Sequence, residues 1–118
     1  MLTLPEPVQI YFCTQPTDMR KGFDTLAALV RDRLGYDPLS GHLFVFRSRR
    51  GDRVKLLWWD RDGFTLYYRR LEEGTFRFPA AADPQALSVE VSAQELSLLL
   101  WGIDPASVKR QKRYQRVG

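Results

Sequence analysis

Residues 47–70 carry eight basic and three acidic side chains, mixed with aromatics. Arg47, Arg49, Arg50, Arg53 and Lys55 come first, then Trp59 and Tyr67, then Arg69 and Arg70. Guanidinium groups grip phosphate oxygens through paired N–H donors. Aromatic faces stack on unpaired bases while cations follow the backbone. This mixture therefore points to a polyanion such as nucleic acid. The plainer account is a solvated charged face with strand aromatics that simply pack. A second basic set, Lys109, Lys112, Arg113 and Arg116, is spaced 0, 3, 4 and 7. That spacing lines one face of a helix, and Asp104-Pro105 ahead of it is a helix-start signature. Chain ends are otherwise commonly unstructured.

Side chains that could perform a reaction are sparse. Metal-dependent phosphodiester chemistry needs several carboxylates converging on divalent ions. Asp60 and Asp62 are close in sequence, but they fall in a turn, where aspartate is favoured for its backbone bonding. His42 has no Ser or Cys partner pattern and reads as a loop or strand-edge polar residue. Cys13 lies in an apolar run and reads as buried filler. No phosphate-loop motif and no dinucleotide glycine pattern occurs. No cofactor and no metal site is expected, since one cysteine and one histidine cannot build a clustered zinc site.

Charge is arranged in blocks. Residues 1–46 hold four basic and five acidic groups, net −1, and residues 47–70 are net +5. Residues 71–108 hold one basic and six acidic groups, net −5, and 109–118 hold five basic and none acidic, net +5. Clustered cations displace condensed counterions from nucleic acid. With 118 residues, 44% of them hydrophobic and 27% charged, the chain has enough apolar surface for one domain's core. The expected division is a single domain over 1–104 and a basic tail over 105–118. No apolar run approaches the ~20 residues of a membrane span. The first residues lack a secretory pattern, so a reducing cytoplasm is expected.

The elements that must position these groups follow from periodicity. Residues 8–13, β-branched and aromatic, predict a strand. Asp18 is an N-cap candidate for a helix whose apolar stripe is Phe23, Leu26, Ala27, Val30 and Leu34, with Gly35 closing it. The pattern then becomes strand-like: 43–47, 54–59, 64–70 and 75–78 predict a four-stranded meander with short turns. Leu87–Val91 predicts a short further strand. Ser92 and Glu95 match a capping box, opening a helix with Leu96, Leu99, Leu100 and Ile103 inward. Trp101 is expected in its core. The fold class expected is α+β, a small single domain with a largely antiparallel sheet.

The turn Asp60-Arg61-Asp62-Gly63 predicts a bulged connection with glycine in the left-handed region. That register pairs Asp60 with Phe64. It gives one apolar face of Val54, Leu56, Trp58, Phe64, Leu66 and Tyr68. The opposite face holds Lys55, Leu57, Trp59, Thr65, Tyr67 and Arg69, which looks like a working surface.

The runs Asp18-Met19-Arg20-Lys21-Gly22-Phe23-Asp24, Leu43-Phe44-Val45-Phe46-Arg47, Asp52-Arg53-Val54-Lys55-Leu56-Leu57-Trp58-Trp59-Asp60 and Tyr68-Arg69-Arg70-Leu71-Glu72 together resemble a known family. It is the TnpB-type accessory protein, the second reading frame, of the insertion-sequence-sixty-six class of bacterial transposons. The resemblance runs from about residue 8 to 103. It does not extend to the RNA-guided nuclease that shares the TnpB name. Members often carry tryptophan before the proline where this chain has Phe78-Pro79. The tail lies beyond the motifs, so a role for Lys109–Arg116 rests on this sequence alone.

The resemblance implies a role in transposition beside a separate transposase that holds the catalytic acids. The expected function is a non-enzymatic accessory that binds DNA, either transposon ends or target. Its contacts would be Arg47, Arg49, Arg50, Arg53, Lys55, Arg69 and Arg70, with Trp59 and Tyr67 for stacking and the tail cations in support. One alternative is an adaptor docking on the transposase through the acidic 71–108 segment and Trp101. The weakest alternative is a small metal-dependent nuclease.

Overall fold

The computed structural model describes residues 8–101. The predicted tail, with Lys109, Lys112, Arg113 and Arg116, lies outside the described residues, as does the Asp104-Pro105 helix start. Five strands form one sheet in the order β4-β3-β2-β1-β5, where β1 is Ile10–Cys13, β2 Leu43–Arg47, β3 Arg53–Asp60, β4 Gly63–Arg70 and β5 Ser88–Val91. All neighbours are antiparallel except β1 and β2, which run parallel. A parallel pair needs a crossover. It is supplied by α1 (Phe23–Leu29) and a π-helical turn (Val30–Leu34) that ends at Gly35 with φ 77°. The second helix, α2 (Ala93–Trp101), follows β5. The fold is α+β, as the sequence predicts.

Helical and irregular segments cover both faces of the sheet. On one face Tyr11, Cys13, Phe44, Phe46 and Leu57 pack with Leu26, Ala27 and Val30 of the crossover. On the other, Ile10, Phe12, Leu43, Val45, Val54 and Leu56 pack with Phe76 and with Leu96, Leu99 and Leu100 of α2. Two-sided cover explains why β1 and the first four residues of β2 are uniformly buried rather than alternating. α2 begins as its capping box predicts. The Ser92 N–H donates to Glu95 Oε1 (2.8 Å) and the Glu95 N–H to Ser92 Oγ (3.0 Å).

Four expectations are corrected. First, Thr75–Phe78 is not a fourth meander strand, so the meander has three. Its Phe76 N–H donates to Gly51 O (2.8 Å), and Phe76 and Phe78 turn their rings into the core, Phe78 stacking on Phe12 at 5.4 Å. Ring burial and the N–H-less Pro79 outcompete ladder pairing along β4. Second, Asp18 caps nothing. Gly22 is the N-cap, its N–H donating to Thr25 Oγ1 (2.9 Å), and Asp18 instead binds the Arg20 N–H and guanidinium. Phe23, in the predicted stripe, is 48% exposed. Third, Trp101 is 45% exposed rather than core.

The fourth correction is the β3–β4 register. Asp60 pairs with Gly63 and Trp59 with Phe64 across a two-residue turn, with Arg61 at φ 59°. That slip sends Tyr67 to the face of Val54, Leu56 and Trp58, and sends Phe64, Leu66 and Tyr68 to the face of Lys55, Leu57 and Trp59. The supposed working face therefore does not exist as one surface. Phe64 and Leu66 lie against the crossover core, while Tyr67 and Trp58 pack on the α2 side.

Candidate functional site

Arginines collect at one end of the sheet, where β2 ends, β3 begins and β4 ends. The β2–β3 loop there is built around Ser48, which is 7% exposed. Its hydroxyl donates to Asp52 Oδ1 (3.1 Å) and accepts from the Arg53 N–H (3.1 Å). The Ser48 N–H donates to Arg53 O, and the Gly51 N–H to Ser48 O. Gly51 takes φ 79°, a backbone conformation that favours glycine, and a Cβ there would make a tight 3.3 Å contact with the Phe78 ring. The segment after β4 clamps the loop from outside, through Leu71 N–H to Asp52 O and Phe76 N–H to Gly51 O, both 2.8 Å. A loop held this way presents Arg49 and Arg50 at its tip, both exposed.

The ion pairs joining described residues are Arg20–Asp18, Arg31–Asp32, Arg61–Asp60 and Arg70–Glu72. None includes Arg49, Arg50 or Arg53. The nearest acid in sequence, Asp52, gives a carboxylate oxygen to Ser48 instead. Arg53 is half-buried, and its Nη1 donates to Tyr68 Oη at 3.3 Å. Arg69 is half-buried beside Val54, and exposed Arg70 holds Glu72 at 3.0 Å. Surface pairs of that kind are weak and exchange readily for a stronger anion.

Other predicted residues sit differently. Arg47 turns inward, its guanidinium donating to Thr14 O (3.2 Å) and Ser48 O (3.4 Å) and lying 5.7 Å from the Phe78 ring centroid. Lys55 is only 6% exposed. Its Nζ donates to the carbonyls of Met19 and Lys21, both at 2.7 Å, and lies 4.6 Å from the Tyr68 ring centroid. Trp59 is half-buried edge-on to Phe64 at 5.1 Å, and Tyr67 is half-buried against the α2-side core. Neither belongs to the arginine cluster. At about 3.3 Å per residue, Trp59 lies some 20 Å along β3 from Arg53.

Sequence reasoning missed two residues at this end. Arg77 is exposed and is drawn beside the loop by the neighbouring Phe76–Gly51 bond. Its position inside an acidic block hid it. Tyr68, assigned to the core by the wrong register, is 48% exposed next to Arg53. Phe78 supports both Arg47 and Gly51.

The remaining chemistry is sparse. Among the described residues no group of three His, Cys, Asp or Glu could hold a metal ion. None of their helices is long and apolar enough to cross a membrane. His42 Nδ1 accepts from the Gln9 N–H at 3.3 Å, a loop-pinning role. A cleft of about 470 Å³ runs between α1 and the loop after β1, lined partly by Cys13, Thr17, Leu29 and Leu34. Cys13 is 4% exposed and donates to Gln15 O at 3.6 Å, and burial raises its thiol pKa above the ordinary value. A raised pKa means less thiolate at neutral pH. Disulfide-reagent labelling at pH 7.5 is therefore expected to run more than about tenfold slower in the folded protein than in denaturant.

The chain is similar to known sequences over most of its length. A model of the IS66 Orf2-like protein family matches residues 8–110. The uncharacterized protein y4jC of Sinorhizobium fredii is 41% identical over 104 residues, covering 88% of this chain and 86% of that protein. The uncharacterized protein y4hO of the same organism is 39% identical over 118 residues, the whole of both. No solved structure matches.

Proposed function

Because the chain belongs to the IS66 Orf2-like family, a family associated with an insertion sequence, we propose that it is a non-enzymatic accessory of transposition that binds DNA through the arginine-bearing end of its sheet. Arg49, Arg50 and Arg53 are the central contacts, and Arg69, Arg70 and Arg77 flank them. The observation that carries this reading is the β2–β3 loop. It is rigidly hydrogen-bonded inside, yet its two tip guanidiniums have no carboxylate partner among the described residues. A fixed loop with unneutralised arginines has its backbone preorganised for phosphate, because little backbone freedom remains to be lost on binding. Arg47 and Lys55 act beneath this surface, holding Thr14, Met19 and Lys21 in place. The tail cations Lys109, Lys112, Arg113 and Arg116 extend the contact in this proposal, as a second basic block for the same polyanion.

The test is a salt titration of full-length protein on DNA. Each neutralised phosphate contributes roughly −0.9 to the slope of log K against log salt on duplex and about −0.7 on single strands. A slope of about −2 to −3 is expected from the three central arginines acting together, and a steeper one where the flanking cations join them. A flat titration, or no binding at low salt, sinks the proposal.

A second reading is favoured by α2. Leu98 is 60% exposed and Trp101 45%, three residues apart on one side of the helix. That side suits a protein contact, with the transposase of the same element as the partner. Co-elution of the two proteins after nuclease treatment, lost on Trp101→Ser, would support it.

A further inference from the structure

We propose that Tyr68 is a stacking platform for an unpaired base, so that the ligand engaged at the arginine cluster is single-stranded or locally opened DNA rather than intact duplex. This inference rests on the DNA-binding reading above. The corrected register carries it. On the crossover face Arg53 lies directly opposite Arg70, and the next pair on that face is Lys55 opposite Tyr68. One ring is thus set among three cations at the margin of the sheet, since β4 has no strand beyond it.

The ring is held but not covered. Its hydroxyl accepts from Arg53 Nη1 at 3.3 Å, and Lys55 Nζ occupies one face at 4.6 Å from the centroid. Even so, the residue is 48% exposed. A cation pinned on one face fixes the ring's orientation and leaves the other face for a base. Buried Lys55, tied to two carbonyls, makes that orientation rigid.

The electrostatics agree. Like charges directly opposite each other across a ladder are destabilising. Arg70 is relieved by Glu72 at 3.0 Å, whereas Arg53 has no carboxylate partner among the described residues. A backbone phosphate between Arg53 and Arg70 would relieve both, and would bring the adjoining base over Tyr68. Trp59 and Tyr67 offer no such platform, because each packs away from the cations. Duplex DNA keeps its bases stacked on one another and has none to give to an exposed ring. The observations therefore favour an unpaired strand.

The experiment compares full-length wild type, Tyr68→Leu and Tyr68→Phe. Each is titrated with a thymidine homopolymer of about 20 nucleotides and with a duplex of similar length, at one salt concentration. Tyr68→Leu is expected to weaken homopolymer binding about tenfold and duplex binding less than about twofold, on the usual scale of base–aromatic stacking. Tyr68→Phe keeps the ring and is expected to bind the homopolymer within about twofold of wild type. A 2-aminopurine placed in the homopolymer is expected to be quenched by wild type and by Tyr68→Phe, but not by Tyr68→Leu. Equal losses on both DNAs, or no loss on the homopolymer, overturn the stacking role while leaving the DNA-binding reading intact. Failure of wild type to bind either DNA overturns both.

Discussion

Replacing Arg49, Arg50 and Arg53 together with alanine is expected to lower DNA affinity about 100-fold at 0.1 M salt, and to reduce the slope of log K against log salt by about two to three. The size follows from counterion release. A phosphate contact contributing roughly 0.9 to the slope is worth close to one order of magnitude at 0.1 M salt. Three contacts, discounted because Arg53 is half-buried and shared with Tyr68, give two orders rather than three. Folding is expected to survive. Arg49 and Arg50 are exposed, and Arg53 loses one 3.3 Å bond to a phenol, so the thermal midpoint should move by only a few degrees. Filter binding across a salt series, with circular dichroism melts on the same samples, reads both quantities. An unchanged slope in a folded triple variant would mean that the phosphates are met elsewhere.

Lys55→Met carries the largest expected loss of stability, about 2–4 kcal/mol. Methionine fills nearly the same space as the lysine stem but leaves the carbonyls of Met19 and Lys21 without their donor. Each bond from a charged donor is worth roughly 1.5–3 kcal/mol. Part of that is offset, since a buried ammonium no longer has to be kept out of water. The thermal midpoint is expected to fall by about 10–20 °C, at the usual several degrees per kcal/mol for a domain of this size. The effect reaches beyond one side chain. The two carbonyls belong to the turn that leads into α1, where the Lys21 N–H closes back on Asp18 O at 3.1 Å. Without the lysine, α1 loses its anchor to the sheet at its N-terminal end. A melt within about 2 °C of wild type would show that water replaces the ammonium at no cost.

Lys55 also shows where sequence reasoning stopped. Between Val54 and Leu56, alternation predicts an outward, solvated cation. It points instead under a loop 34–36 residues away, and no local pattern records that those carbonyls would be waiting. The β3–β4 turn is a second case. Asp60-Arg61-Asp62-Gly63 is chemically suited to either a two-residue or a three-residue connection, and the mixed charge of one face favours the bulged form. Near the turn both faces pack against neighbouring segments, so chemical coherence is no guide. The choice was made by burying Leu66 and Phe64 under the crossover and Tyr67 on the α2 side. Arg61 then accepts the left-handed conformation that glycine was expected to take.

What could be read was what local chemistry encodes. The Ser92–Glu95 box, the Gly35 stop, the β5 strand and the burial of Cys13 all depend on residues within a few positions of one another. The family resemblance, too, was carried by contiguous runs. The tyrosine platform was not legible, because it exists only once two strands are correctly aligned.

The placement of β1 in the sheet bears on how the protein is made. This strand, near the start of the chain, is bonded on one flank to residues 43–45 and on the other to residues 88–91. During synthesis its second flank has no partner until some 80 further residues have emerged, roughly 4–16 s at ordinary elongation rates. The nascent protein therefore passes through an interval with an apolar strand open to its neighbours on the polysome. A premature stop anywhere before Ser88 would leave that opening permanent, turning a truncated product into a seed for aggregation.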